Sequence, residues 1–155
     1  MHAARAFVCF YGERSPFSQF YAATVFIDGI TFPTAEHAFQ RSKGRINPSK
    51  ANLALQERIL QAPTPSVAKQ LGRQIDLGVQ GREDWHESKM SAAIAINLCK
   101  FMQHAELPML LVSTGNRALV EASPTDSEWS SACAARYAFT THHSRARNIS
   151  ILACN

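Results

Sequence analysis

The sequence lacks the features that mark a membrane protein, a secreted disulfide scaffold or a zinc protein. Its longest apolar runs, such as 109–112, are far shorter than the roughly 20 residues that a bilayer crossing requires. The four cysteines are scattered, with no CxxC pair and no His-rich companion. No signal peptide is evident. These absences predict reduced, mostly packed thiols, no metal, no membrane partner and a cytoplasmic location, with the nucleus or mitochondrial import as alternatives.

Several familiar catalytic signatures are also missing. The chain has no nucleophile elbow, P-loop, GxGxxG fingerprint or HExxH helix. Its apolar share of 46% and charged share of 18% are typical of a globular protein, and 155 residues suit one domain. The net charge of +4 is compatible with a phosphate-bearing ligand or nucleic acid. We therefore expect a single domain over residues 1–155 that requires no cofactor.

The hydrophobic pattern predicts an α+β fold, mostly helical with a small β-sheet. The predicted strands are a buried one at 5–10, a hairpin at 24–32 that turns at Asp28–Gly29, a short buried one at 110–113 and one at 119–122. The predicted helices are one that begins after the N-cap Thr34, one from Pro48–Ser49 to Leu60, one over 67–73 capped by Thr64, and a long one capped by Asp84.

One predicted helix carries a polar stripe. Glu36, Gln40 and Lys43 are spaced by four and three residues, so they return to nearly the same helix face. A pair of opposite charges such as Glu36 and Lys43 most often lies on the exposed side of a surface helix. The neighbouring Phe39 favours a different interpretation, in which a buried acid and a buried amine have shifted pKa values that suit proton transfer and nucleophilic attack.

The two tryptophans, Trp85 and Trp129, each lie near an acid. A lone tryptophan is most often a core residue, but it also serves as a stacking platform for a flat heterocycle. Asp126 follows Ser-Pro in a turn-rich loop and is either a turn residue or part of a site. Arg14, Lys69 and Arg73 are candidate phosphate contacts.

Taken in order, several short motifs between residues 7 and 129 resemble those of the NADAR (YbiA-like) family. They are FYGERSPFSQFY at 10–21, GITFPTAEH at 29–37 with Gln40 and Lys43, AKQLGR at 68–73, Asp84–Trp85, STG at 113–115, and LVEASP at 119–124 with Asp126 and Trp129. Each motif is short, but together and in this order they are specific.

The resemblance implies an N-glycosidase that cleaves ribose from an exocyclic base amine. By position, it implies catalytic roles for Glu36, Lys43 and Asp126. It also implies substrate-binding roles for a larger set, which comprises Arg14, Ser18, Phe20, Gln40, Lys69, Trp85 and Trp129. The expected substrate is ADP-ribosylated guanine in nucleic acid or nucleotide; the alternatives are a ribosylamino-pyrimidine phosphate of the riboflavin pathway, and a catalytically silent ADP-ribose or nucleotide binding module.

The chain departs from the family pattern at three places. Gln19 stands where the family usually has asparagine, and Ser130 where it has glycine. The tail at 130–155 is divergent, with only a faint match at 147–149 to the family's C-terminal helix. These departures are expected to affect a ribose contact, a lid or substrate specificity.

Overall fold

The computed structural model describes residues 7–123, which form four strands and five α-helices. In chain order they are β1 (Phe7–Phe10), β2 (Val25–Ile27), β3 (Ile30–Phe32), α1 (Ala35–Ser42), α2 (Lys50–Leu60), α3 (Pro65–Gly72), α4 (Gly78–Gln103), α5 (Glu106–Ser113) and β4 (Ala118–Glu121), with a 3₁₀ turn at Lys43–Arg45 after α1. The predicted α+β class, mostly helical, is confirmed. None of these helices has both the length and the apolar character needed to cross a membrane.

The strands form two separate pairs in this part of the chain, where we expected one small sheet. β1 and β4 are parallel, with Phe7 opposite Ala118 and Phe10 opposite Glu121. β2 and β3 are the predicted antiparallel hairpin. Its turn residues, Asp28 and Gly29, have φ values of 51° and 79°, as an Asp-Gly turn allows.

Helix α1 lies at the centre of the structure and packs against α2, α3 and α4. All residues from Ala35 to Gln40 are buried. Two core clusters meet around it. One joins the hairpin, α1 and α4 through Val25, Phe32, Ala35, Ala38, Phe39, Ala93 and Ile96; the other joins α2 and α3 through Ile59, Ala62, Ala68, Leu71 and Ile75. The polar stripe of α1 is therefore enclosed by other helices.

Three predicted helix starts are confirmed by their caps. The side chains of Thr34, Ser49 and Thr64 each accept a hydrogen bond from the backbone N–H three residues later. Pro65 occupies the first turn of α3, where its missing N–H is not needed.

Two predicted elements are wrong. The long helix begins at Gly78, so Asp84 is inside α4, where it accepts a hydrogen bond from Gln80 Nε2 at 3.2 Å. Segment 110–113 is the end of helix α5 and not a buried strand. Pro108 is in the first turn of α5, a position that helices tolerate, and Val112 is 79% exposed.

Strand β1 also differs from its prediction. It alternates between exposed and half-buried residues, and Phe7 is 56% exposed. Cys9 is an exposed free thiol on this strand, so the expectation of packed thiols is wrong there; Cys99 is half-buried and also free. The other two cysteines lie outside the described residues.

His37 of α1 is a buried histidine that should make the stability of the protein depend on pH. It is 1% exposed, its Nε2 lies 3.1 Å from the carbonyl oxygen of Ala62, and its Nδ1 lies 2.8 Å from Thr34 Oγ1. A carbonyl only accepts, so Nε2 carries the proton and Nδ1 accepts from the threonine hydroxyl. Burial lowers the pKa of His37, and the hydrogen bond to Ala62 opposes this shift in part.

This environment predicts a loss of stability in mild acid. Because the pKa of His37 is lower in the folded than in the unfolded protein, the unfolded chain binds the proton more readily. The free energy of unfolding should fall as the pH drops below about 6.5, by at most about 1.4 kcal/mol per pH unit from this residue. Urea unfolding at pH 7.5 and 5.5 measures this, and His37→Gln should flatten the dependence. An equal pH dependence in both proteins would contradict the prediction.

Candidate active site

The centre of the candidate site is a buried acid–amide pair on α1. Glu36 and Gln40 are only 5% and 3% exposed, and Gln40 Nε2 donates to Glu36 Oε1 at 2.6 Å. The interpretation of Glu36 as an exposed surface residue is therefore wrong, and Gln40 is buried with it. Their spacing of four residues places one directly above the other, so the helix itself sets the hydrogen bond.

A close helix crossing holds Gln40 in place. A Cβ atom added at Gly72 of α3 would lie 2.1 Å from Gln40 Oε1 and 2.9 Å from Gln40 Cβ. Only glycine permits α1 and α3 to approach this closely. Oε1 of Gln40 accepts no hydrogen bond from the residues described, so the amide is oriented by Glu36 on one side and by packing on the other.

Lys43 extends the stripe beyond the end of α1. The 3₁₀ turn that follows α1 begins at this residue, and its side chain is half-buried. Lys43 Nζ lies 5.7 Å from the ring centroid of Trp85 and 6.0 Å from that of Phe39. The two rings pack together with centroids 5.2 Å apart. The structure thus brings Lys43 and Trp85 together, and half-buried Trp85 is both a core contact and a wall beside the amine.

The loop after β1 supplies a second part of the site. Phe20 lies below Lys69 of α3, whose Nζ is 5.7 Å from the ring centroid. Ser18 is 2% exposed, and its hydroxyl accepts a hydrogen bond from the Phe20 N–H at 3.1 Å, so it also shapes the loop. The carbonyl of Gln19 accepts from the Glu36 N–H at 3.0 Å, which joins this loop to the start of α1.

Not every predicted residue is brought together. Arg14 is exposed on the same loop, whereas Glu36 and Gln40 of the stripe are buried. Asp126 and Trp129 lie outside the described residues, as does Ser130. Within residues 7–123, no three His, Cys, Asp or Glu side chains are arranged to hold a metal ion.

One residue of interest was absent from the sequence-based predictions. Lys100 of α4 is fully buried, and its Nζ donates to the carbonyl oxygen of Ser18 at 2.8 Å. The sequence did contain a signal for the burial of Lys100, because this residue shares an apolar helix face with Ala93 and Ile96. A lysine on such a face is unusual, since charged residues are seldom fully buried.

Comparison with known proteins relates this arrangement to a family. The sequence model of the NADAR domain matches residues 9–149. N-glycosidase YbiA of Escherichia coli is 35% identical over 119 residues, which span 77% of this chain and 68% of that protein. N-glycosidase Npun_R5314 of Nostoc punctiforme is 36% identical over 126 residues, or 81% and 76% of the two chains. The chloroplastic riboflavin biosynthesis protein PYRR of Zea mays is 35% identical over 106 residues, 66% of this chain and 17% of that protein.

The fold agrees with a solved structure. The NMR structure of E. coli YbiA matches with a TM-score of 0.66 and 27% identity, over 92% of this chain and 94% of that one. The class defined by these relatives is that of N-glycosidases, hydrolases that act on N-glycosyl bonds. The chain belongs to the NADAR domain family. The expectations of family and enzyme class are thereby confirmed, while a single domain over 1–155 stays a prediction.

Proposed function

We propose that the protein is an N-glycosidase that removes ADP-ribose from ADP-ribosylated guanine, in nucleic acid or in free nucleotide. The observation that carries this proposal is the buried Glu36–Gln40 pair with the amine of Lys43 next along the same stripe, against the rings of Trp85 and Phe39. An enclosed carboxylate suits proton transfer, and an amine beside aromatic rings suits attack on a sugar carbon near a flat base.

The proposed reaction uses the chemistry of a glycosylamine. Opening of the ribose ring breaks the bond between the ring oxygen and C1′, places a proton on that oxygen and forms an imine between C1′ and the base nitrogen. The neutral amine of Lys43 adds to C1′, and its two protons pass in turn to the base nitrogen, the second one as the bond between C1′ and that nitrogen breaks. The base then leaves as a free amine with its electron pair, and Lys43 holds the sugar as a Schiff base.

Water completes the cycle. It adds to C1′ of the Schiff base, and the C1′–Nζ bond breaks to release the sugar aldehyde, which closes to ribose. Glu36 takes and returns the protons in these steps, and Gln40 holds its Oε1 in place. We assign Asp126 to the same chemistry, either orienting the ribose hydroxyls or assisting Lys43. The net change is addition of one water across the N-glycosyl bond.

The remaining predicted residues fit a nucleotide substrate. We assign Trp85 to stacking on a base, the role that the resemblance implies for Trp129. Lys69 beside Phe20 supplies a positive charge for phosphate, with Arg14 on the same loop as the second candidate. The net charge of +4 favours a substrate that carries several phosphates.

The second candidate is a ribosylamino-pyrimidine phosphate. It is favoured by the names of relatives such as the riboflavin biosynthesis protein PYRR of Zea mays. Both substrates join ribose to an exocyclic amine, so the same acid and amine serve either of them. They differ in the size of the base and in the number of phosphates.

A direct comparison of the two substrates separates the candidates. The purified protein is incubated with an oligonucleotide that carries ADP-ribose on guanine and, separately, with the ribosylamino-pyrimidine phosphate, and the released sugar is followed by mass spectrometry. We expect kcat/KM to be at least about tenfold higher for the oligonucleotide. Release from the pyrimidine alone would move the protein to the second candidate. Binding of ADP-ribose without release from either would identify a silent binding module and contradict the proposal.

A further inference from the structure

Lys100 is a buried cation in the described structure for which the reaction above has no use. It is fully buried in α4, close to two rings: its Nζ lies 5.2 Å from the ring centroid of Phe101 and 5.8 Å from that of Tyr21. Within residues 7–123, Lys100 forms no ion pair with an acidic side chain. Its hydrogen bond there is to the backbone carbonyl of Ser18, at 2.8 Å.

Burying this ammonium group makes folding less favourable, which indicates that the lysine has a specific task. Removing an ammonium group from water is costly, and a single carbonyl and two aromatic faces return only part of that cost. Burial accordingly lowers the pKa of Lys100 to about 8. A methionine at this position would fill similar space without that penalty.

The task becomes clear from residues 18–20, the first of which is bound by Lys100. The carbonyl of Ser18 is bound by Lys100 of α4, and the carbonyl of Gln19 is bound by the N–H of Glu36 of α1. The ring of Phe20 lies against Lys69 of α3. The loop at 18–20 is thus fixed to three different helices by successive residues.

We infer that Lys100 is a positioning residue that holds the 18–20 loop in the conformation that binds substrate. The inference rests on the proposed function for the role of that loop. The ammonium group of Lys100 fixes the Ser18 carbonyl, and this orients the backbone of the next two residues. The Gln19 carbonyl then meets the start of α1, and the Phe20 ring meets Lys69.

Direct participation of Lys100 in the chemistry is excluded by its burial. The side chain has no exposed surface, and its Nζ is directed at a backbone carbonyl. A Schiff base at Lys100 would require the loop to leave its place. The amine for covalent chemistry is therefore assigned to Lys43, and Lys100 affects the reaction only through the loop.

The test replaces Lys100 by methionine, which keeps the length of the stem and removes the ammonium. A second variant, Lys100→Gln, serves if methionine prevents folding. The matched control is Asn97→Leu, one turn earlier on α4, because Asn97 is also a buried polar residue but bonds the carbonyl of Ala93 in its own helix, at 2.9 Å.

Two readouts are compared in these proteins. Hydrogen exchange at the amides of Tyr21 and Glu36, which donate to Ser18 and Gln19, should be about ten- to a hundredfold faster in Lys100→Met, relative to the amides of α3. In steady-state kinetics, KM should rise about tenfold while kcat changes by less than about threefold. Asn97→Leu should change neither the relative exchange nor KM.

The outcomes are distinct. Unchanged relative exchange in Lys100→Met would overturn the inference, as would faster exchange with an unchanged KM. If the wild-type protein hydrolyses neither candidate substrate, the proposed function fails by itself, and the exchange comparison still decides whether Lys100 holds the loop.

Discussion

Replacing Lys43 by methionine is expected to lower kcat by at least about 10³-fold, because the reaction then has no amine to take the sugar from the base. Methionine retains a flexible apolar stem against the rings of Trp85 and Phe39. The fold should therefore persist, with little change in the thermal midpoint. The measurement is release of sugar under single-turnover conditions, so that slow product release does not mask the chemical step.

A trapping experiment gives this prediction a chemical signature. Cyanoborohydride added during turnover reduces the carbon–nitrogen double bond of a Schiff base to a stable amine. The wild-type protein should gain the mass of the reduced sugar, and peptide mapping should place it on Lys43. Lys100→Met should still be trapped at Lys43, since Lys100 is assigned no covalent role.

The control for Lys43 is another lysine changed in the same way. Lys50 is exposed at the start of α2, and Lys50→Met should retain the wild-type rate and the trapped adduct. Sugar release at the wild-type rate by Lys43→Met would contradict the Schiff-base mechanism. A trapped adduct on a different residue would move the covalent step to that residue.

Replacing Glu36 by glutamine is expected to lower kcat by about 10²- to 10⁴-fold, the usual contribution of a positioned acid or base. The change is nearly isosteric, and the new Oε1 still accepts from Gln40 Nε2, so KM should change little. Thermal unfolding of the variant shows whether the fold is retained.

The matched control for Glu36 is Glu57 of α2. Its side chain is 61% exposed and accepts a hydrogen bond from Arg41 at 3.3 Å. The amide oxygen of glutamine can still accept the hydrogen bond from Arg41, so Glu57→Gln should leave both activity and stability close to wild type. If Glu36→Gln retained more than about a tenth of the wild-type kcat, Glu36 would not be the proton carrier.

Local signals predicted much of the fold. The caps Thr34, Ser49 and Thr64 bind backbone N–H groups within their own helices, and Asp28–Gly29 adopts its turn from local backbone preference. Each of these depends on residues close in sequence. Such features are visible in a single sequence because no distant contact is needed to create them.

The errors arose where tertiary packing overrides local preference. Asp84 has the chemistry of a helix cap, but α4 continues upstream through Gly81 to Gly78, two residues that disfavour a helix when considered alone. The segment at 110–113 begins with a short apolar run, which strands and buried helices share, yet it completes α5, whose buried residue Leu107 packs with Ala23 and Phe101. Neither outcome is encoded within a short window.

The candidate site shows the same division. The spacing of Glu36, Gln40 and Lys43 predicted one stripe, which the helix and its 3₁₀ extension produce. The burial of that stripe could not be predicted, since it depends on α2, α3 and α4 closing around α1. The link from Lys100 to Ser18 spans 82 positions in the sequence, and no local pattern announces a contact of that length.

The central position of α1 has a consequence for how this enzyme could acquire new substrates. Its residues from Ala35 to Gln40 include Glu36 and Gln40, to which we assign the chemistry, and they also fill the space between helices, so most substitutions there would damage both at once. Substitutions that change substrate specificity are therefore expected at the edge of the candidate site, in the exposed part of the 11–21 loop and on the exposed face of α4 beside Trp85. A directed-evolution library restricted to these positions would test variants for new substrates while leaving the buried residues of α1 unchanged.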